Sequence, residues 1–284
     1  MSFAHRLKAK ASFAAIVGAS ALLALSGCSA NTSDDKIRIG IKYDQPGLGY
    51  QDGKDYTGFD TDVARYVAGE LGYGEDQIEW VEAPSANREN MLANGQVDMI
   101  FATYSISNTR LKTIDFAGPY FVAGQDLLVQ KDNNDIHGPD DLNGKDLCSV
   151  TGSTSAKKIQ DKFASNVQLV QQNSYSDCVV ALNAGMVDAV TTDDIILAGL
   201  GATKANKGEL KLVGNTFTTE KYGVGLPKGS DKCKEINQAI NKMVESGEWE
   251  KAVKKNVGDS GFTYNAELNP PHLDDSCAQP TKDK

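Results

Sequence analysis

Ser105, Arg110, Ser153, Thr154 and Asp193 carry the side chains and spacings best suited to gripping a small zwitterion. Ser105 offers a hydroxyl and an amide, and Arg110 a guanidinium that can hold a carboxylate through two parallel hydrogen bonds. Ser153 and Thr154 fall in Thr151-Gly152-Ser153-Thr154-Ser155, a run that should open a helix. A helix start presents free N–H groups, which favour an anion. Asp193 supplies the opposite charge and suits an ammonium. A carboxylate site and an ammonium site on facing bodies describe an α-amino acid. Taken singly, the hydroxyls also fit helix capping and turn chemistry, and Arg110 also fits a solvated loop.

Their placement in the chain favours the joint reading. Ile37, Ile39 and Ile41 alternate with Arg38 and Gly40, which predicts a strand. Helical spacing follows over residues 60–71, a strand over 77–82, a helix over 85–94 with Gly95 closing it, and a strand over 98–102. The series recurs with strands at 145–150, 167–170 and 188–191 and helices at 153–163 and 176–184. Leu92-x-x-Gly95-x-Val97-Asp98 in the first series matches Leu182-x-x-Gly185-x-Val187-Asp188 in the second. Such β-α-β-α-β alternation predicts an α/β fold of two similarly built lobes, each a mostly parallel sheet flanked by helices. A strand over 222–226 and helices over 231–246 and 248–256 bring the chain back. The second lobe is therefore expected to be inserted into the first. The expected parts are 36–126 and 221–257 for lobe 1, 127–220 for lobe 2, and a tail at 258–284 tied to lobe 1. A two-crossing hinge is expected near 125–131 and 219–223. Ligands of open α/β sheets bind beyond the carboxyl ends of the strands. That rule selects residues 103–110, 151–155 and 192–194, the segments that hold the five residues above.

Composition narrows the classes. The chain has 284 residues, 40% hydrophobic and 24% charged, a globular profile. A net charge of −9 argues against nucleic acid as a partner, since phosphate contacts need a basic surface. Three His leave little room for His-based catalysis or metal binding, so no catalytic residue, metal or cofactor is expected. His137 and His272 lie off the expected cleft, and residues 138–145 are one residue too long for a P-loop, with Asp146 where Ser or Thr should stand.

The first residues read as an address. Arg6, Lys8 and Lys10 precede an uncharged apolar run over 11–25, shorter than the ~20 residues a membrane span needs. Leu25-Ser26-Gly27-Cys28 then resembles the lipobox of bacterial lipoproteins. Residues 1–27 are thus expected to be a signal peptide, Cys28 the lipidated first residue and 28–35 a tether on the outer face of the cell membrane; an ordinary signal peptide with a chance Cys is the alternative. Removing residues 1–27 takes away three basic residues and no acid, which carries the net charge to −12. The remaining arginines are Arg38, Arg65, Arg88 and Arg110. With Cys28 assigned, Cys148, Cys178, Cys233 and Cys277 remain, and an oxidising compartment favours two disulfides. Three connectivities are open; Cys148–Cys178, within one expected lobe, and Cys233–Cys277, clamping the tail to a helix, are favoured.

Gly58-Phe59-Asp60-x-Asp62, Gly95-Gln96-Val97-Asp98, Ser105-Ile106-Ser107-x-x-Arg110, Asp115-Phe116-x-x-Pro119-Tyr120 and Thr151-Gly152-Ser153-Thr154-Ser155 together resemble the polar amino acid family of bacterial extracellular solute-binding proteins. The likeness runs from about residue 37 to 257. It implies a hinged, type II periplasmic-binding-protein fold that binds one amino acid and feeds an ABC importer. Ser85-Ala86-Asn87-Arg88 and Asp193-Asp194-x-x-Leu197-Ala198-Gly199 resemble the glutamate/aspartate binders, and residues 42–49 the actinobacterial glutamate binders. Carried over, Arg88 takes the ligand's side-chain carboxylate and Arg110 its α-carboxylate. Ser85 belongs to the Arg88 motif, and Ser105, Ser153 and Thr154 add donors. Asp193 and the Thr103 carbonyl take the ammonium. Lys42 stands where the family's glutamine binder has an acid. Arg88, Arg110 and Lys42 against Asp193 leave a positive surplus suited to an anionic ligand. The resemblance implies a lipid-anchored, monomeric receptor for glutamate, with aspartate a second candidate, partnered by ABC permease subunits. A glutamate- or glutamine-sensing protein for a membrane signalling partner and a dehydratase-like enzyme are the rival readings.

Overall fold

The computed structural model describes residues 36–281. The expected signal segment, Cys28 and tether residues 28–35 lie outside the described residues. In chain order the elements are β1 (Ile37–Ile41), β2 (Asp44–Gln45), β3 (Gly49–Asp52), β4 (Asp55–Thr57), α1 (Phe59–Glu70), β5 (Ile78–Glu82), α2 (Arg88–Ala93), β6 (Met99–Phe101), β7 (Ile114–Ala123) and β8 (Gln125–Gln130). They continue with β9 (Asp146–Val150), α3 (Ser155–Lys162), β10 (Gln168–Gln172), α4 (Tyr175–Asn183), β11 (Ala189–Asp193), α5 (Asp194–Gly201), β12 (Leu210–Leu212), β13 (Glu220–Pro227), α6 (Cys233–Glu245) and α7 (Glu248–Val257).

Two five-stranded sheets result, ordered β5-β1-β6-β13-β7 and β10-β9-β11-β8-β12, with a small sheet β2-β3-β4 beside the first. Within each large sheet the first three strands run parallel in the same relative order, and the last two pair antiparallel. The sheets are therefore mixed rather than mostly parallel. The antiparallel half comes from β7, β8, β12 and β13, which carry the chain between sheets and need no helical crossover.

The internal repeat has a shared physical cause. Gly95 and Gly185 both adopt positive φ (63° and 68°) just past a helix end. Gln96 N donates to Met91 O and Met186 N to Ala181 O, each at 2.9 Å, which satisfies the last helical carbonyls. The following Asp then closes the corner. Asp98 Oδ2 accepts from Arg38 N and Asp188 Oδ2 from Asp146 N, both at 2.8 Å. Each Asp thus pins the start of the middle strand of its sheet's parallel trio, β1 or β9.

The chain passes from one sheet to the other at Gly124 and returns through residues 213–219. These crossings fall earlier than the spacing suggests, because 125–130 already pair in the second sheet and 220–223 in the first. The main apolar cluster is continuous across both sheets, uniting Ile39, Phe59, Phe121 and Trp249 with Cys148, Val190 and Ile195. Smaller clusters cover the outer face of each. Disulfides join Cys148 to Cys178 and Cys233 to Cys277. Beyond α7 the tail lies along the first sheet: Asn269 exchanges two hydrogen bonds with Val122, and Ala278 N donates to Phe116 O.

Candidate functional site

The strand ends of the two sheets face each other across a narrow cleft. At its centre is a cavity of about 10 Å3, lined by Ser85, Arg88, Thr103, Arg110, Ser153, Thr154, Ser155, Tyr175, Thr192 and Ile196. That volume holds about one water-sized sphere, so an amino acid enters only when the lobes part. The larger hollows, up to 620 Å3, lie outside it, the largest at the cleft mouth beyond Arg110 and Ser153.

Arg88 opens α2, which begins there and not at residue 85; residues 85–87 form a turn. Its side chain is buried, and Nη1 donates to Ala102 O at 2.9 Å. The guanidinium lies 3.9 Å from the Tyr104 ring centroid. Nε is buried without a partner, and among the described residues no carboxylate forms an ion pair with Arg88. Burial, and then the nearby Arg110 charge, push the guanidinium down to about 10. Arg110 stacks on the same ring from 4.7 Å. It donates to Ser105 O (2.7 Å), to Gly152 O of the other lobe (3.0 Å) and to Glu89 Oε1 (3.1 Å).

Thr103 is the one described non-glycine residue with positive φ, 46°. A β-branched residue in that region is strained, and such strain persists where surrounding bonds over-determine it. Here Asp60, fully buried, accepts from Thr103 N (2.8 Å) and Tyr120 OH (2.8 Å). Burial raises the Asp60 carboxyl to about 6. Ser105 pairs with Tyr222 in an isolated bridge, which fixes residues 104–106 along β13.

Asp193 ends β11 and is buried. Its Oδ2 accepts from Tyr222 OH of the first sheet at 2.6 Å, while Oδ1 has no partner. Burial, and then the charge of Glu220, push this carboxyl well above the ordinary range. A buried acid with one open oxygen is one that a ligand cation would stabilise.

The cleft thus brings together Ser85, Arg88, Thr103, Arg110, Ser153 and Thr154. Asp193 and Ser105 sit one shell out from the small cavity, Asp193 next to Thr192, which lines it. Ser153 differs in detail from the helix-start reading. The helix α3 begins at Ser155, and Ser153 N donates to Val150 O at 3.0 Å, while its Oγ meets Ser149 Oγ at 3.3 Å. Lys42 does not line the cavity; its buried Nζ lies 3.4 Å from Asp44 Oδ1. The positive surplus is therefore smaller than the residue types suggest, because Glu89 faces Arg110 and Asp44 faces Lys42. Ser155 and Thr192 fall in the strand-end segments 151–155 and 192–194 without being singled out there, and Tyr175 and Ile196 went unread in the sequence. Tyr175 follows strand β10, so the same strand-end rule points at it.

A two-lobed α/β molecule with matched sheets and a polar interlobe cleft is a type II periplasmic-binding-protein fold. An ancestral arginine-binding protein bound to arginine has this fold, with a TM-score of 0.71 and 32% identity, covering 78% of this chain and 97% of that one. The ligand-binding core of GluR0 from Nostoc punctiforme in complex with L-glutamate matches with a TM-score of 0.68 and 26% identity, over 77% of this chain and 98% of that one.

The chain belongs to the bacterial extracellular solute-binding proteins, family 3, whose model matches residues 37–259. It is similar to the glutamate-binding protein GluB of Corynebacterium glutamicum, 41% identical over 86% of this chain and 90% of that protein. It is also similar to the ABC transporter glutamine-binding protein GlnH of Bacillus subtilis, 37% identical over 78% of this chain and 81% of that protein. The chain is accordingly an extracytoplasmic solute-binding protein rather than an enzyme.

Proposed function

We propose that this protein captures L-glutamate between its lobes and delivers it to an ABC importer, held to the outer face of the membrane through lipid on Cys28. The observation that carries the ligand assignment is the pair of buried, incompletely satisfied charges: Arg88 with no carboxylate and a partnerless Nε, and Asp193 with one open oxygen. Arg88 gives Nη1 to Ala102 O and leaves its buried Nε without an acceptor. An α-amino acid with a second carboxylate answers these demands: its ammonium meets Asp193, one carboxylate meets Arg88, and the other meets Arg110. Glutamine offers Arg88 an amide oxygen but no charge, and leaves a buried cation unpaired. Ser85, Thr103, Ser105, Ser153 and Thr154 complete the donor and acceptor set in this reading. Similarity to a glutamate-binding protein supports it. Aspartate carries the same charges on a side chain one methylene shorter, so it is the second ligand to test.

Titration calorimetry of the ligand-stripped protein with glutamate, aspartate and glutamine tests the reading. Glutamate is expected to bind at least tenfold more tightly than glutamine. Equal affinity for the two would overturn the charge argument. Membrane-fraction retention lost in Cys28→Ser tests the anchor, and labelled-glutamate uptake by cells lacking the protein tests delivery.

A further inference from the structure

The small sheet β2-β3-β4 has no part in the ligand set, yet one edge of it crosses the cleft. Asp44, in β2, meets the first turn of α4 in the opposite lobe. Its Oδ2 accepts from Tyr175 N at 3.1 Å, and its main-chain oxygen accepts from Ser176 Oγ at 2.9 Å. A carboxylate at this position complements the helix N-terminus, where N–H groups lack intrahelical partners. The helix has its own cap in Ser174, whose Oγ accepts from Asp177 N, so Asp44 adds to a finished cap rather than replacing one. The turn that follows β2 approaches the same lobe closely. A Cβ on Gly199 in α5 would lie 2.2 Å from Pro46 O, so only glycine lets the two backbones meet there.

Lys42 fits this arrangement better than it fits the ligand. It is buried, it lies 3.4 Å from the same Asp44 carboxylate, and it is absent from the cavity lining. Tyr175 is the link to the site: its amide is held by Asp44 while the residue lines the cavity.

We infer that Asp44 is an interlobe latch, a positioning residue that holds the closed arrangement from outside the cavity, and that Lys42 is its counter-ion and not a ligand group. The latch forms only when the lobes meet, so it favours the closed state and slows ligand escape without touching the ligand. This rests on the reading of the cleft as a ligand site, but the closure it describes is measurable without ligand.

The test uses Asp44→Ala and Ser176→Ala in the mature chain, with interlobe distance followed by a pair of fluorophores and glutamate dissociation by stopped flow. Asp44→Ala is expected to shift the ligand-free distance distribution toward longer separations and to raise the glutamate dissociation rate about tenfold, with association nearly unchanged. Ser176→Ala, which removes one bond and leaves Lys42 paired, is expected to move both readouts the same way by two- to threefold, and it carries the test if Asp44→Ala does not fold. Lys42→Met added to Asp44→Ala is expected to cost glutamate no more than a further twofold. An unchanged distance distribution in both single variants would overturn the latch. A further tenfold loss from Lys42→Met in the Asp44→Ala background would return Lys42 to the ligand. Failure of the parent protein to bind glutamate would strike the functional reading and leave the ligand-free distance test of the latch standing.

Discussion

Arg88→Met removes a guanidinium while keeping a stem of similar reach against Tyr104. In the ligand-free protein the substitution has two opposed effects. The fall of the Arg88 pKa to about 10 corresponds to about 3 kcal/mol by which burial, and then the Arg110 charge, disfavour the cation, at about 1.36 kcal/mol per pH unit. Against this stands the charged hydrogen bond to Ala102 O, worth roughly 1.5–3 kcal/mol. The two largely cancel, so ligand-free stability should change by about 1.5 kcal/mol or less, which is at most about 6 °C in melting temperature. Binding has no such compensation. Losing the cation leaves a ligand carboxylate buried without its partner, which costs about 3–4 kcal/mol, a factor of 10²–10³ in glutamate affinity. Glutamine, uncharged at that position, should lose far less, so the preference between the two narrows. Calorimetry with both ligands and a thermal melt of the ligand-free protein read all three quantities. A glutamate affinity within threefold of the parent would refute the side-chain assignment. A melting temperature lowered by tens of degrees would instead make Arg88 a residue of the fold.

Other perturbations report on the same cleft. Asp193→Asn should stabilise the ligand-free protein at pH 7, because it removes a carboxyl that burial disfavours, while lowering glutamate affinity at least a hundredfold; denaturant melts and calorimetry measure the two. Gly152→Ala places a Cβ 2.6 Å from Ala86 Cα at a φ of +81°, so the lobes can no longer meet, and affinity should fall more than tenfold in the same titration. Asp194, raised by burial to about 6, keeps its proton in the folded chain at pH values where the unfolded chain has lost it. The protein therefore loses stability as pH rises from about 4 to 6, Asp60 acting in the same sense, and Asp194→Asn should remove its own share of that slope and add up to about 3 kcal/mol at pH 7, as seen in melts across the range.

The parallel cores of both lobes were legible because each strand there is a short apolar run ended by a helix signal, and because Gly95 and Gly185 mark identical corners. Of the antiparallel strands, β13 was legible at 222–226, whereas β7, β8 and β12 were not: Gly118-Pro119 falls inside β7, while the two sheets divide at the single Gly124. The flap at 44–57 was missed for a related reason: its strands are two to four residues long, too short to carry periodicity. At the site, Arg88, Arg110 and Asp193 could be found because charge at a strand or helix end is conspicuous. Their partners could not, because Glu89 and Tyr222 acquire meaning only through contacts with Arg110 and Asp193 that lie 21 and 29 residues away. The sequence allows Lys42 to be counted as a ligand cation; the structure pairs it with Asp44.

The Gly–Asp corner has a consequence for how such a receptor diversifies. Asp98 and Asp188 secure the amino ends of β1 and β9, at the opposite end of the strands from the cleft. The frame of either half is therefore fixed without reference to what its strand tips carry. Thr103 on one half and Asp193 on the other occupy corresponding tips of β6 and β11, and they differ in charge although their foundations are alike. One plan, used twice, leaves either half able to change at its tips without disturbing the foundation of the other.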